Sequence, residues 1–177
     1  MKFLISAGVS AVITYIFINV SLFTQEWVTV SASRLGITVK KSAGLFPWGC
    51  VSENACGIFW DYADGWNIAL FFSMLFAWIV QFFALVTAIA ALLVKRHRLH
   101  LTRSFVSIQV VVTVLLLFTL ICYGATYKRN TGSLDTFGID ISLGASYWLC
   151  LVSVIFSIVT MGLGGTALRT AHHFDYR

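Results

Sequence analysis

Four stretches of this chain, roughly residues 3–23, 67–94, 104–126 and 145–168, contain no Asp, Glu, Lys or Arg. Each is long enough to cross a hydrocarbon core about 30 Å thick, which takes about 20 mostly apolar residues in a helix. The second would reach about 42 Å at 1.5 Å per residue, so it must tilt or project beyond the bilayer. A water-soluble globule carries about 25% charged residues. Here only 11% of 177 residues are charged and 59% are hydrophobic, so the surplus apolar surface has to face lipid. The fold expected is a membrane all-α four-helix transmembrane bundle, one four-span domain over residues 1–177.

Orientation follows from the basic residues. Lys95, Arg96, Arg98 and Arg103 crowd the segment 95–103, while Lys128 and Arg129 in the segment 127–144 are balanced by Asp135 and Asp140. Short segments rich in Lys and Arg stay cytoplasmic. Both termini, including the tail 169–177, are then expected in the cytoplasm of a plasma-membrane protein, with 24–66 and 127–144 outside. The net charge of +5 reflects this topology and is no sign of nucleic-acid binding. A cleaved signal peptide is the rival reading of the first span. Its apolar run exceeds the usual 7–15 residues and no small-x-small site follows, so retention is expected.

The external segment 24–66 is too long to be a mere connection. Within it "EWVTVSAS", "GITVKK" and "CGIFW" are rich in β-branched and aromatic residues and separated by Gly or Ser, which predicts short antiparallel strands in a small extracellular β-sheet. In 127–144, "NTGS" and "DTFGID" read as turns around one further strand. Cys50 and Cys56 fall on the oxidising side, so a disulfide is favoured over a pair of free thiols and over a metal site. So small a ring stabilises by about 2 kcal/mol. Cys122 and Cys150, at similar depth on neighbouring helices, read as small buried hydrophobes rather than a second bridge.

The spans hold no ionisable group of the kind that marks catalysis or ion pathways. Asn19, Gln81 and Gln109 are expected to cross-link helices by hydrogen bonds worth about 0.6 kcal/mol each. Small residues four apart, Ala7 with Ala11, Ala84 with Ala88, Ser153 with Ser157 and Gly162 with Thr166, suit close backbone approach. His97, His100, His172 and His173 read as solvated side chains near lipid headgroups rather than a metal site. No nucleophile–base motif or phosphate loop occurs, so no catalytic residue, cofactor, metal or small-molecule substrate is expected, and the protein is read as a non-enzyme.

The four spans, Trp27 soon after the first, then Gly44, Leu45 and Phe46 followed by Cys50 and Cys56, resemble the claudin superfamily. That group spans claudins, peripheral myelin and epithelial membrane proteins, the lens fibre membrane protein and calcium-channel γ subunits. "GASYWL" at 144–149 is similar to the opening of the family's fourth helix. Phe46 stands where the family usually has Trp, with Trp48 nearby, and "AHHFDYR" lacks the hydrophobic tail that claudins present to PDZ scaffolds. The resemblance implies contact with membrane lipid and with copies of the chain, laterally or across opposing cells, in cell–cell contact or a paracellular barrier at a cell junction. Its γ-subunit branch implies the alternative of an auxiliary subunit of an ion channel or receptor. Trp60, Tyr62 and Trp66 serve either as interface anchors or as a headgroup belt.

Overall fold

The computed structural model describes residues 2–34, 37–48, 64–127 and 139–175. Its helices are α1 (Lys2–Phe23), α2 (Gly65–Leu93), α3 (Arg98–Thr126) and α4 (Ala145–Asp175). All four are long and apolar enough to cross a membrane. The segment 95–103 continues as a 3-10 turn over Lys95–His97 and the first turns of α3, because helical hydrogen bonding does not stop where apolar composition does.

Over part of α1 and α2 the size pattern of a soluble bundle is inverted, although Ile18, Leu22, Leu70 and Met74 are buried toward the sheet end. Along α1, Phe3, Ile5, Val9, Val12, Ile16 and Val20 point outward, while Ala7, Ser10, Ala11, Thr14 and Ser21 are buried. On α2, Phe72, Phe76, Phe82 and Phe83 face out, and Ala77, Gln81, Ala84 and Ala88 face in. Water would expel such a surface; lipid tails do not, and small inward residues let backbones approach closely. The neighbours run antiparallel, as their inter-helix hydrogen bonds require. Ser10 Oγ donates to Phe156 O at 3.1 Å and Ser21 Oγ to Ser146 O at 2.8 Å, tying α1 to α4. Ser73 Oγ donates to Leu115 O at 3.2 Å between α2 and α3.

Three layers of core follow along the bundle. At one end Trp27, Phe46, Phe71, Met74, Leu116 and Tyr123 form a cluster of large side chains. At the other, Ala7, Ala11, Ala84 and Ala88 surround the single large ring of Phe105. Between them lies a polar layer. Gln81 Nε2 donates to Ala11 O at 3.0 Å, linking α2 to α1, and Gln109 Nε2 donates to Ser157 Oγ at 2.7 Å, linking α3 to α4. Thr113 Oγ1 lies 2.7 Å from the same Ser157 hydroxyl. The expectation for the two glutamines holds. Asn19 instead donates to Tyr15 O in its own helix, 3.2 Å away, so it cross-links nothing.

Three of the four small-residue pairs, Ala7–Ala11, Ala84–Ala88 and Ser153–Ser157, are buried between helices. Gly162 and Thr166 are exposed, so that pair faces outward. Spacing of four fixes a shared face but not the direction it points. Cys122 and Cys150 are both free thiols.

A three-stranded antiparallel sheet sits on the end with the large side chains, in the order β2-β1-β3, where β1 is Val28–Arg34, β2 Ile37–Ala43 and β3 Ile139–Leu143. Val28 pairs with Ala43 on one side and Leu143 on the other. The first two strands arise from "EWVTVSAS" and "GITVKK", and the third from the second inter-helix segment. "CGIFW" lies outside the described residues.

Candidate functional site

The sheet end is where the sequence motif residues converge. A helix leaves its last four carbonyls without intrahelical partners, and in a membrane each must find a donor. Helix α1 ends at Phe23, and the indoles supply those donors. Trp27 Nε1 donates to Ser21 O at 2.7 Å, and Trp48 Nε1 donates to Leu22 O at 2.9 Å. Thr24 completes the cap, its Oγ1 donating to Val20 O at 2.6 Å and its backbone N–H to the same carbonyl at 3.1 Å. The two motif tryptophans therefore bind the sheet-side segments to the end of the first helix.

Trp27 is fully buried and packs edge-on to Tyr123 at 4.9 Å and Tyr147 at 6.5 Å, so α3 and α4 share its contacts. Phe46 stacks on Phe71 of α2 at 4.8 Å and meets Trp48 edge-on at the same distance. Leu45 is buried beside them. Pairs in these geometries add about 0.5–1.5 kcal/mol beyond the area they bury. Gly44 is needed for space, since a Cβ there would lie 3.0 Å from Gln25 Cα and 3.2 Å from Thr24 O. Phe46 and Trp48 thus divide between them packing on α2 and capping of α1.

A second connection runs through the backbone. Trp27 N–H donates to Ala43 O at 3.0 Å and Gly144 N–H to Trp27 O at 2.9 Å, extending the sheet ladder past its last strand residues. The next bond, Ser146 N–H to Glu26 O at 3.0 Å, reaches the first turn of α4 and satisfies one of its free amides. Thr24 Oγ1 and Ser146 Oγ lie 2.6 Å apart at the same junction. A methyl group on Gly144 would fall on the Glu26 carbonyl, so only glycine allows this crossing. The "GASYWL" segment owes its first glycine to that contact.

Trp66, in the first turn of α2, is exposed and packs edge-on to Phe118 at 6.1 Å, which places it on the outer surface of the bundle. Trp148, more than half exposed, occupies an equivalent place at the start of α4. Trp148 and Tyr147 belong to the "GASYWL" segment, whose resemblance marks the helix opening but not their separate places, outward for Trp148 and against Trp27 for Tyr147. Tyr123 is not singled out by the sequence reading; an aromatic residue near a span end is the available signal. Cys50, Cys56, Trp60 and Tyr62 lie outside the described residues.

The opposite end carries a cluster of arginines, while Arg34, Lys40 and Lys41 lie in the strands of the sheet. Arg98 Nε donates to Ala91 O at 3.3 Å, a cation on the C-terminal carbonyls of α2. Arg96, Arg103 and Arg169 are exposed there. The bundle is thus two-ended, with aromatic caps and a sheet at one end and the arginines of α3 and its neighbours at the other.

The family model described as tight junction protein, claudin-like, matches residues 1–175. No curated protein matches the chain.

Proposed function

Because the chain belongs to the claudin-like tight junction protein family, we propose that it acts by contact rather than by catalysis. In this reading it is a multi-pass plasma-membrane protein with both termini cytoplasmic. Its sheet stands outside the cell and meets copies of itself, beside it or on the opposing cell, at cell–cell contacts. The cations at the far end, Arg96, Arg98, Arg103 and Arg169, support that sidedness through the preference of short basic segments for the cytoplasm.

The observation that carries the proposal is the double attachment of the sheet, through the Trp27 and Trp48 caps and through the Glu26–Ser146 bond into α4. A surface held at a fixed height and angle above the membrane loses little further freedom on binding, which favours contact between weakly adhesive copies. A Cys50–Cys56 disulfide would extend the same fixing into the segment between β2 and α2.

Expression in cells that lack junctional strands tests the reading. Aggregation of the transfected cells, or intramembrane strands in freeze-fracture images, is the expected result. Dispersed cells and smooth fracture faces, with a channel subunit co-purifying stoichiometrically from native membranes, would overturn it in favour of an auxiliary-subunit role.

A further inference from the structure

At the basic end, a cavity of about 320 Å³ opens between the start of α3 and the end of α4, lined by Leu99, His100, Arg103 and Leu168. Its size lies at the lower end of the range for small-molecule sites. One helical turn deeper, α3 and α4 touch at Gly164, where a Cβ would lie 2.9 Å from Val106 Cγ2 and 3.4 Å from the Phe105 ring. Beyond that contact the helices leave the cavity open.

The lining is amphipathic along the membrane normal. Leu168 is the last residue of the apolar stretch, with Arg169 next, and Arg103 is the last cation before α3 becomes charge-free. The cavity therefore straddles the boundary between hydrocarbon and headgroups. His100 and Arg103, three residues apart, share a helix face, and Leu99 lies four residues from Arg103 on the same side. Among the described residues neither His100 nor Arg103 has a hydrogen-bond or ion-pair partner, and none of the lining side chains described is a carboxylate. A guanidinium and an imidazole over two leucines match a phosphate ester that carries an acyl chain.

We propose that this cavity seats the headgroup of an anionic glycerophospholipid, with Arg103 as the phosphate ligand, His100 as a second donor, and Leu99 and Leu168 against the glycerol and upper acyl carbons. The leucine floor favours a lipid over a free phosphate, which has no use for apolar contact.

The full chain, reconstituted in phosphatidylcholine nanodiscs doped with phosphatidylserine, provides the test, with retained lipids counted by native mass spectrometry. Arg103→Gln should retain about fivefold less phosphatidylserine, the size expected from losing one cation beside anionic headgroups. Leu168→Trp, which fills the cavity without changing charge, should lose it as well. Arg96→Gln, an equal charge change outside the cavity, should leave retention unchanged. Equal losses in Arg96→Gln and Arg103→Gln would reduce the effect to diffuse attraction and overturn the site. Full retention in Leu168→Trp would do the same. Displacement of the lipid by soluble glycerol phosphate would instead assign the cavity to free phosphates. Helical circular dichroism of each variant separates loss of lipid from loss of fold, and Leu168→Trp keeps the test open if Arg103→Gln does not fold.

Discussion

Trp27 and Trp48 make the same kind of bond to consecutive carbonyls, yet their surroundings assign them different weights. The Ser21 carbonyl lies in the buried core under a fully buried indole, whereas Trp48 is half-buried, so its bond to Leu22 O is only partly shielded from its donor side. Leaving a buried acceptor unpaired costs about 1–3 kcal/mol, while an exposed bond is replaced by water at little loss. Trp27→Phe, which keeps an aromatic ring but removes the donor, should therefore lower stability by about 2 kcal/mol. Trp48→Phe should lower it by less than about 1 kcal/mol. Thermal unfolding of both variants in the same detergent checks the order; equal losses would show that ring packing, not capping, holds these residues. The tryptophans could be singled out from the sequence, but their task could not. The donor lies 6 residues from its acceptor in one case and 26 in the other, separations that no local pattern predicts.

Among the secondary-structure elements, the polar layer between α1, α2, α3 and α4 sets helix register without adding much stability. Gln81 makes one bond, to Ala11 O, and leaves its Oε1 buried without a partner; the Oε1 of Gln109 is in the same state. A side-chain hydrogen bond inside a membrane is worth about 0.6 kcal/mol, and an unpaired buried acceptor costs more than that. Gln81→Leu, of similar volume, should thus be neutral or stabilise by up to about 1 kcal/mol. Ser157→Ala acts in the other direction, because it takes the acceptor from Gln109 Nε2 and one of the two hydrogen-bond partners from Thr113. It should destabilise by about 1–2 kcal/mol. Unfolding in a mixed-detergent titration separates the two signs; a large loss in Gln81→Leu would sink the account. The helices themselves were legible because length and absence of charge suffice to define a span. Strand β3 was legible only as a vague extra strand: five residues of "IDISL" gain their geometry from pairing with β1, a partner more than a hundred residues away in sequence. The outward Gly162–Thr166 pair failed for a related reason, since lipid and protein faces of an apolar helix carry the same hydropathy.

For the whole molecule, the proposed sidedness and the proposed Cys50–Cys56 disulfide belong to one argument, because only an external sheet end would put those cysteines in an oxidising compartment. The proposed direction rests on the cations beside α3 and α4, which lie at the end opposite the sheet, since short segments rich in Lys and Arg resist translocation. An epitope inserted at residue 53 should then be stained on intact, unpermeabilised cells. Cys50→Ser and Cys56→Ser should each expose one new thiol to a membrane-impermeant maleimide and should lower surface delivery, since closing so short a ring contributes about 2 kcal/mol. The four helices should insert in either variant, because insertion depends on apolar length and not on the cystine. The two outcomes can part company. Surface staining with no gain of maleimide labelling would keep the orientation and remove the disulfide, whereas staining only after permeabilisation would invert the molecule and leave the sheet in the cytosol. In that inverted state the cations would lie outside, against the rule that orients them, and contact between cells through the sheet would be impossible.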